Sequence, residues 1–189
     1  MVRRIALVLA VLLAGCGQAP RFNATDITGA EWGRDFHLID HSGKQRQLSD
    51  FRGRVVVLFF GYTQCPDVCP TTLSTLREVA KLLGQDARRL QVLFVTLDPE
   101  RDTPAVLAAY VPAFNPSFLG LYGDAAATAA VTKEFKIFYQ KQPGSHGGYT
   151  IDHTAASYAI DPRGRLRLYI PNGLEASRIA DDLRRLLTE

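Results

Sequence analysis

The chain is poor in cysteine: 189 residues contain three, Cys16, Cys65 and Cys69. There is no internal repeat and no low-complexity segment, which excludes a solenoid or a fibrous array. No basic patch with interleaved aromatics occurs, and no sustained run of one charge. Net charge is only +3, and with Arg3 and Arg4 set aside 20 basic residues face 19 acidic ones. That balance argues against nucleic acid as a partner. The apolar run near the start, Ile5 to Ala14, is too short to cross a bilayer as a helix. What is present in ordinary measure is apolar residue content, 47%, enough for one domain with a real core.

The first stretch has the form of a secretory signal. Met1-Val2-Arg3-Arg4 is a short positive segment, Ile5 to Ala14 is apolar, and Leu13-Ala14-Gly15-Cys16 ends it. That tetrapeptide resembles a bacterial lipobox, which implies that Cys16 becomes the lipidated first residue of the mature protein. The alternatives are an ordinary signal peptide or an uncleaved anchor, and all three place the domain outside the cytoplasm. The expected layout is a signal peptide over residues 1–15, a flexible polar tether over 16–30 and one domain over 31–189. With Cys16 assigned to the leader, Cys65 and Cys69 have only each other to pair with in an oxidising compartment.

Those two cysteines sit in Gly61-Tyr62-Thr63-Gln64-Cys65-Pro66-Asp67-Val68-Cys69-Pro70-Thr71-Thr72-Leu73. Before it runs Val55 to Phe60, six apolar residues that read as a fully buried strand. After it, Leu73, Leu76, Ala80 and Leu83 recur at helical spacing. The pair therefore lies where a central strand hands over to a helix, and Pro70 suits the first turn. Helix N-termini stabilise thiolates, so Cys69, and Cys65 with it, are expected to ionise more readily than a free cysteine. Such sulfurs serve as nucleophiles or as soft-metal ligands; the plain alternative is a structural disulfide or two buried thiols.

Elsewhere, Phe36 to Leu48 reads as a hairpin turning at Ser42-Gly43. Leu90 to Leu97 reads as a second core strand. Asp98 to Pro104 is a proline-punctuated turn in which Asp102 or Thr103 caps a helix over Ala105 to Val111. A helix spans Ala125 to Phe135, a short strand follows at Phe138 to Gln140, and Gln142 to Gly148 is a glycine-rich loop. Asp161-Pro162-Arg163-Gly164 joins two strands, and Leu174 to Leu187 is an amphipathic helix with Ile179, Leu183, Leu186 and Leu187 on one face. The resulting order, β–β–β–α–β–α–α–β–β–α, fits a thioredoxin-like α/β fold. Its central sheet is mixed and flanked by helices on both faces, and an N-terminal β-hairpin precedes it.

Two thiolates alone make an incomplete metal site. Of the four histidines, His37 and His41 fall in the hairpin and His146 in the glycine-rich loop, where surface or packing roles are the rule. His153 stands just before the strand at Ser157, in the loop that faces the cysteines in a thioredoxin-like fold. A set of Cys65, Cys69 and His153 is soft and suits copper, above all Cu(I). Zinc would want a fourth ligand.

The segment Gly61 to Thr71 resembles the signature of the Sco/SenC family. Asp98-Pro99-Glu100-Arg101-Asp102-Thr103-Pro104 and Asp152-His153-Thr154, with Tyr158 and Asp161-Pro162-Arg163-Gly164 after them, resemble its other two blocks in the same order. The resemblance covers Phe36 to Leu187; Thr154, where serine is common, is its one departure. It implies a membrane-tethered, thioredoxin-like copper chaperone that helps assemble the dinuclear copper centre of cytochrome c oxidase. By the same resemblance Cys65, Cys69 and His153 hold copper as Cu(I) or Cu(II), and Asp98 supports the site. The implied partners are the copper-bearing oxidase subunit and an upstream copper donor, on the periplasm-facing side of a bacterial membrane.

The competing reading is a thiol–disulfide oxidoreductase, which needs only the two sulfurs. Against it stand the Cys-x-x-x-Cys spacing and Ala155, where a thioredoxin-type reductase carries a cis-proline. A peroxidase reading of Val68-Cys69-Pro70-Thr71 leaves Cys65 and His153 without purpose. The lipid assignment has a direct check: Cys16→Ser is expected to move the protein from the membrane to the soluble fraction, and unchanged membrane retention contradicts it.

Overall fold

The computed structural model describes residues 22–144 and 148–189. The leader, Cys16 and His146 lie outside the described residues. Among the described residues ten strands form: β1 Thr25–Asp26, β2 His37–Asp40, β3 Gln45–Gln47, β4 Val55–Gly61, β5 Leu90–Thr96, β6 Leu119–Tyr122, β7 Tyr139–Pro143, β8 Tyr149–His153, β9 Ser157–Ile160 and β10 Leu166–Ile170. Four α-helices accompany them: α1 Val68–Leu83, α2 Pro104–Phe114, α3 Ala125–Glu134 and α4 Ala176–Thr188. Eight strands make one sheet in the order β1-β10-β9-β4-β5-β6-β2-β3, while β7 and β8 pair separately as a hairpin.

The middle of the sheet is parallel, β4 with β5 and β5 with β6, and the outer pairs are antiparallel. This is the mixed sheet expected, and its core explains the unbroken apolar run at Val55. Val55, Val57 and Phe59 point to one side, into a core shared with Leu73 and Leu76 of α1, Leu107 of α2 and Leu183 of α4. Val56, Leu58 and Phe60 point to the other, against Leu48, Phe51, Val131 and Phe135. A strand covered on both faces has no polar side, so alternation is absent. Each such phenylalanine contributes about 1.5–3 kcal/mol by leaving water.

The hairpin around Ser42-Gly43 forms as expected, with Gly43 at φ 89° in its turn. Thr103 caps α2, its hydroxyl accepting the Val106 N–H at 3.3 Å. Three strands escaped the sequence reading. The first is β6, only four residues long and interrupted by Gly120. A Cβ there would sit 3.1 Å from Leu107 and Val111 of α2, a tight contact that glycine avoids. The second is β8, which continues the glycine-rich loop and carries His153.

The third is β1, which corrects the tether. Residues 22–30, expected to be flexible, join the domain: Thr25 and Asp26 pair with Tyr169 and Leu168 of β10, and Ala24 is buried. Buried Asp182 of α4 accepts the backbone N–H groups of Asn23 and Ala24 and the Asn23 side-chain amide, all at 2.8–3.0 Å. A wholly buried carboxylate must find such donors. The segment looked like a linker because a two-residue strand has no periodicity to read.

Candidate metal centre

The site forms at the C-terminal end of β4. The strand ends at Gly61, the chain turns through Thr63 to Asp67, and α1 begins at Val68. Cys65 lies in that turn, half-buried, and Cys69 is the second residue of α1, fully buried. Gly61 leaves room for the Cys69 sulfur: a Cβ at Gly61 would meet Sγ at 2.7 Å, far inside van der Waals contact. The Cys65 sulfur accepts the Cys69 N–H at 3.4 Å, so the donor at the helix N-terminus is spent on Cys65.

This corrects the expectation for Cys69. Burial pushes its thiol well above the ordinary cysteine range, although the Tyr62 backbone counters in part, and the proximity of Cys65 and Asp102 pushes the same way as burial. Helix position favours a thiolate only where the sulfur is also accessible to water or to a cation, and Cys69 has neither.

His153 ends β8, and its ring meets the cysteine loop from the hairpin side. Nε2 lies 3.6 Å from the Cys69 sulfur. Nδ1 lies 3.0 Å from the Thr154 carbonyl, which can only accept, so Nδ1 carries the proton and Nε2 presents its lone pair. Burial holds the His153 pKa below the usual histidine value, keeping the ring neutral near pH 7. Phe59 and Tyr62 approach the ring edge-on at centroid distances of 6.3 and 6.1 Å. The donor atoms of Cys65, Cys69 and His153 all lie within 4.8 Å of one another, with two sulfurs and one imidazole nitrogen converging. Donors of this kind match a soft or borderline metal.

His37 and His41 stay apart from these donors. The His37 side chain is 79% exposed beside Asp35. His41 Nδ1 accepts the Gly120 N–H at 3.1 Å, a structural bond between the hairpin and β6.

Asp98 lies in the loop after β5. It is wholly buried, and its carboxylate is taken by the Arg101 Nε–H and by the Tyr149 hydroxyl at 2.6 Å. Asp102, one turn on, accepts the Thr63 N–H at 3.0 Å, the Thr63 hydroxyl at 2.6 Å and the Thr96 hydroxyl at 2.6 Å. Burial pushes the Asp102 carboxyl up, and the two threonines counter it. Opening a pair like Asp98–Arg101 by removing one member costs about 3–5 kcal/mol, since a buried charge is stranded. Arg101 and Tyr149 were not singled out in the sequence; the signal available was an arginine inside the Asp98 to Pro104 block, three residues after the aspartate.

The family model described as SCO1/SenC matches residues 24–188. The chain belongs to the SCO1/SenC family. A bovine (Bos taurus) relative, the mitochondrial protein SCO2 homolog, is 41% identical over 154 residues, 80% of this chain and 58% of that protein. The chain thus spans less than two thirds of the length of that SCO2 relative. Among solved structures, copper-bound ScoI of Bradyrhizobium japonicum is 39% identical with a TM-score of 0.76, covering 83% of this chain and 99% of that one. Apo Sco1 of Thermus thermophilus is 41% identical with a TM-score of 0.78, covering 90% and 99%. The thioredoxin-like architecture and the family both agree with the sequence reading.

The two sulfurs of this SCO1/SenC chain differ in access, which labelling can read. In the reduced, metal-free protein near pH 8, iodoacetamide is expected to modify half-buried Cys65 well before buried Cys69, followed by mass spectrometry. Equal rates contradict the assigned environments.

Proposed function

We propose that this protein is a copper carrier that serves assembly of the dinuclear copper centre of cytochrome c oxidase. The observation that carries the reading is the convergence of two sulfurs and the free Nε2 of a neutral histidine at one end of β4. Copper is the cargo. Cys65, Cys69 and His153 would hold it, and the donor set suits Cu(I) while keeping a nitrogen acceptable to Cu(II). Three ligands fall short of the four that structural zinc takes. The copper-bound relative described above supports the same cargo.

The expected partners are the copper-bearing oxidase subunit as acceptor and an extracytoplasmic copper donor upstream. We place the domain on the periplasm-facing side of a bacterial membrane, held by lipid on Cys16. Among the described residues no helix is long and apolar enough to cross a membrane. The chain would act with the signal peptide of residues 1–15 removed.

A thiol–disulfide exchange role toward the oxidase cysteines is the second reading. It is favoured by one feature: the accessible Cys65 sulfur, which accepts the Cys69 N–H, is placed as the attacking group, with Cys69 beside it to resolve a mixed disulfide.

His153 separates the two readings. Disulfide exchange needs only the sulfurs, whereas copper loses a donor. His153→Ala is expected to weaken copper binding by well over the roughly 100-fold typical of a residue that merely orients a ligand. The Cys65–Cys69 pair should still cycle between dithiol and disulfide. The checks are chelator competition on the reduced protein and thiol trapping. Normal copper affinity in the variant would move the oxidoreductase reading to first place.

A further inference from the structure

His153 reaches the cysteines from an element that the main sheet does not hold. β7 and β8 form their own two-stranded sheet, so the position of the imidazole depends on whatever fastens that hairpin to the body. One tie is Lys141 to Glu100, 2.8 Å apart with both side chains largely in solvent, a pair of little energetic weight. A second tie is apolar, Ile151 of β8 being buried in the core shared with α1, and a third, polar one runs through the loop after β5.

There the Arg101 side chain is four-fifths buried and meets three elements at once. Its Nε donates to the buried Asp98 carboxylate. Its Nη1 donates to the Tyr149 carbonyl at 2.9 Å and to the Gln64 side-chain oxygen at 3.2 Å. Gln64 directly precedes Cys65, and Tyr149 begins the strand that ends in His153. The guanidinium lies 3.7 Å from the centroid of the Tyr149 ring, close to ideal for a cation over a π face. The Tyr149 hydroxyl returns to Asp98 at 2.6 Å and closes the circuit. The same guanidinium is 5.7 Å from the Tyr62 ring, which in turn flanks His153.

We propose that Arg101 is a positioning residue that fixes the His153 hairpin against the cysteine loop, one planar guanidinium gripping Asp98, Gln64 and Tyr149 together. This rests on the copper reading of the site. A planar fork with fixed N–H directions can serve three acceptors at set angles; an ammonium is a point charge and cannot. Lysine at this position keeps the charge beside Asp98 and loses the register between the two halves of the site. Asp98 therefore supports the site by holding Arg101 and Tyr149.

The test uses the reduced protein with Arg101→Lys and Tyr149→Phe. Copper affinity by chelator competition is expected to fall about 10–100-fold in Arg101→Lys, the range for a residue that orients a ligand. With Cu(II) bound, the nitrogen hyperfine coupling from the imidazole is expected to weaken. In the metal-free protein, amide exchange is expected to speed selectively in residues 149–153, while the amides of β4 keep their rates. Tyr149→Phe retains the ring under the guanidinium and loses the hydroxyl bonds to Asp98 and, at 3.3 Å, to exposed Glu100, and it should show the same selective loosening. Wild-type affinity together with wild-type exchange in both variants overturns the proposal. So does exchange that rises equally in β4 and in the hairpin, which marks a merely structural arginine. If Arg101→Lys does not fold, Tyr149→Phe decides: unchanged exchange in 149–153 overturns the proposal. Should the wild-type protein take up no copper, the copper reading fails by itself, and metal-free exchange still decides the role of Arg101.

Discussion

The contact between Cys69 and Gly61 sets the rest of the site. β4 is packed on both faces, so its last residue is held in the core, and α1 must start within a few residues of that end. Cys69 then lies directly over the strand, at a distance that no residue with a Cβ at position 61 would permit. The sulfur is consequently buried and its thiol hard to ionise in the free protein. A metal ion is the partner able to favour a thiolate there, because it supplies the positive charge that the protein withholds. Cys65, in the turn, is only half-buried and is the more accessible of the two sulfurs. The asymmetry between the two sulfurs follows from where the helix begins.

The second constraint is that the third donor comes from a different structural unit. The sheet holds the sulfurs, and a separate hairpin holds the imidazole. The loop from Asp98 to Asp102 touches both: Asp102 binds Thr63 on the cysteine side, and Asp98 binds Tyr149 on the histidine side. Its carboxylates are buried where unpaired charges are costly, and each is satisfied by groups from the segments it organises. The hairpin that carries the imidazole is held to the body by those polar bonds and by Ile151, which is buried in the core shared with α1.

Much of this was legible in the sequence, for physical reasons. Val55 to Phe60 announces a buried strand because both faces are covered, and Leu73 to Leu83 announces a helix because one face is. The two cysteines and His153 stand out because soft donors are few in this chain. What escaped were features that leave no periodic trace. β1 is two residues, and the segment just before it is fastened by a distant aspartate, Asp182, 159 and 158 positions from its partners Asn23 and Ala24. β6 is short and carries a glycine where α2 packs closely on the sheet. The ionisation of Cys69 was misjudged because helix position is visible in sequence while depth of burial is not. Arg101 escaped because its three partners come together only in the folded chain.

The central claim is that copper is held by two sulfurs and one imidazole nitrogen from Cys65, Cys69 and His153. X-ray absorption on the reduced, copper-loaded protein reads that donor set directly. The account predicts two sulfur scatterers and one nitrogen scatterer with the multiple-scattering pattern of an imidazole, the latter lost in His153→Ala. A first shell of sulfur alone, or one unchanged by that substitution, would contradict it.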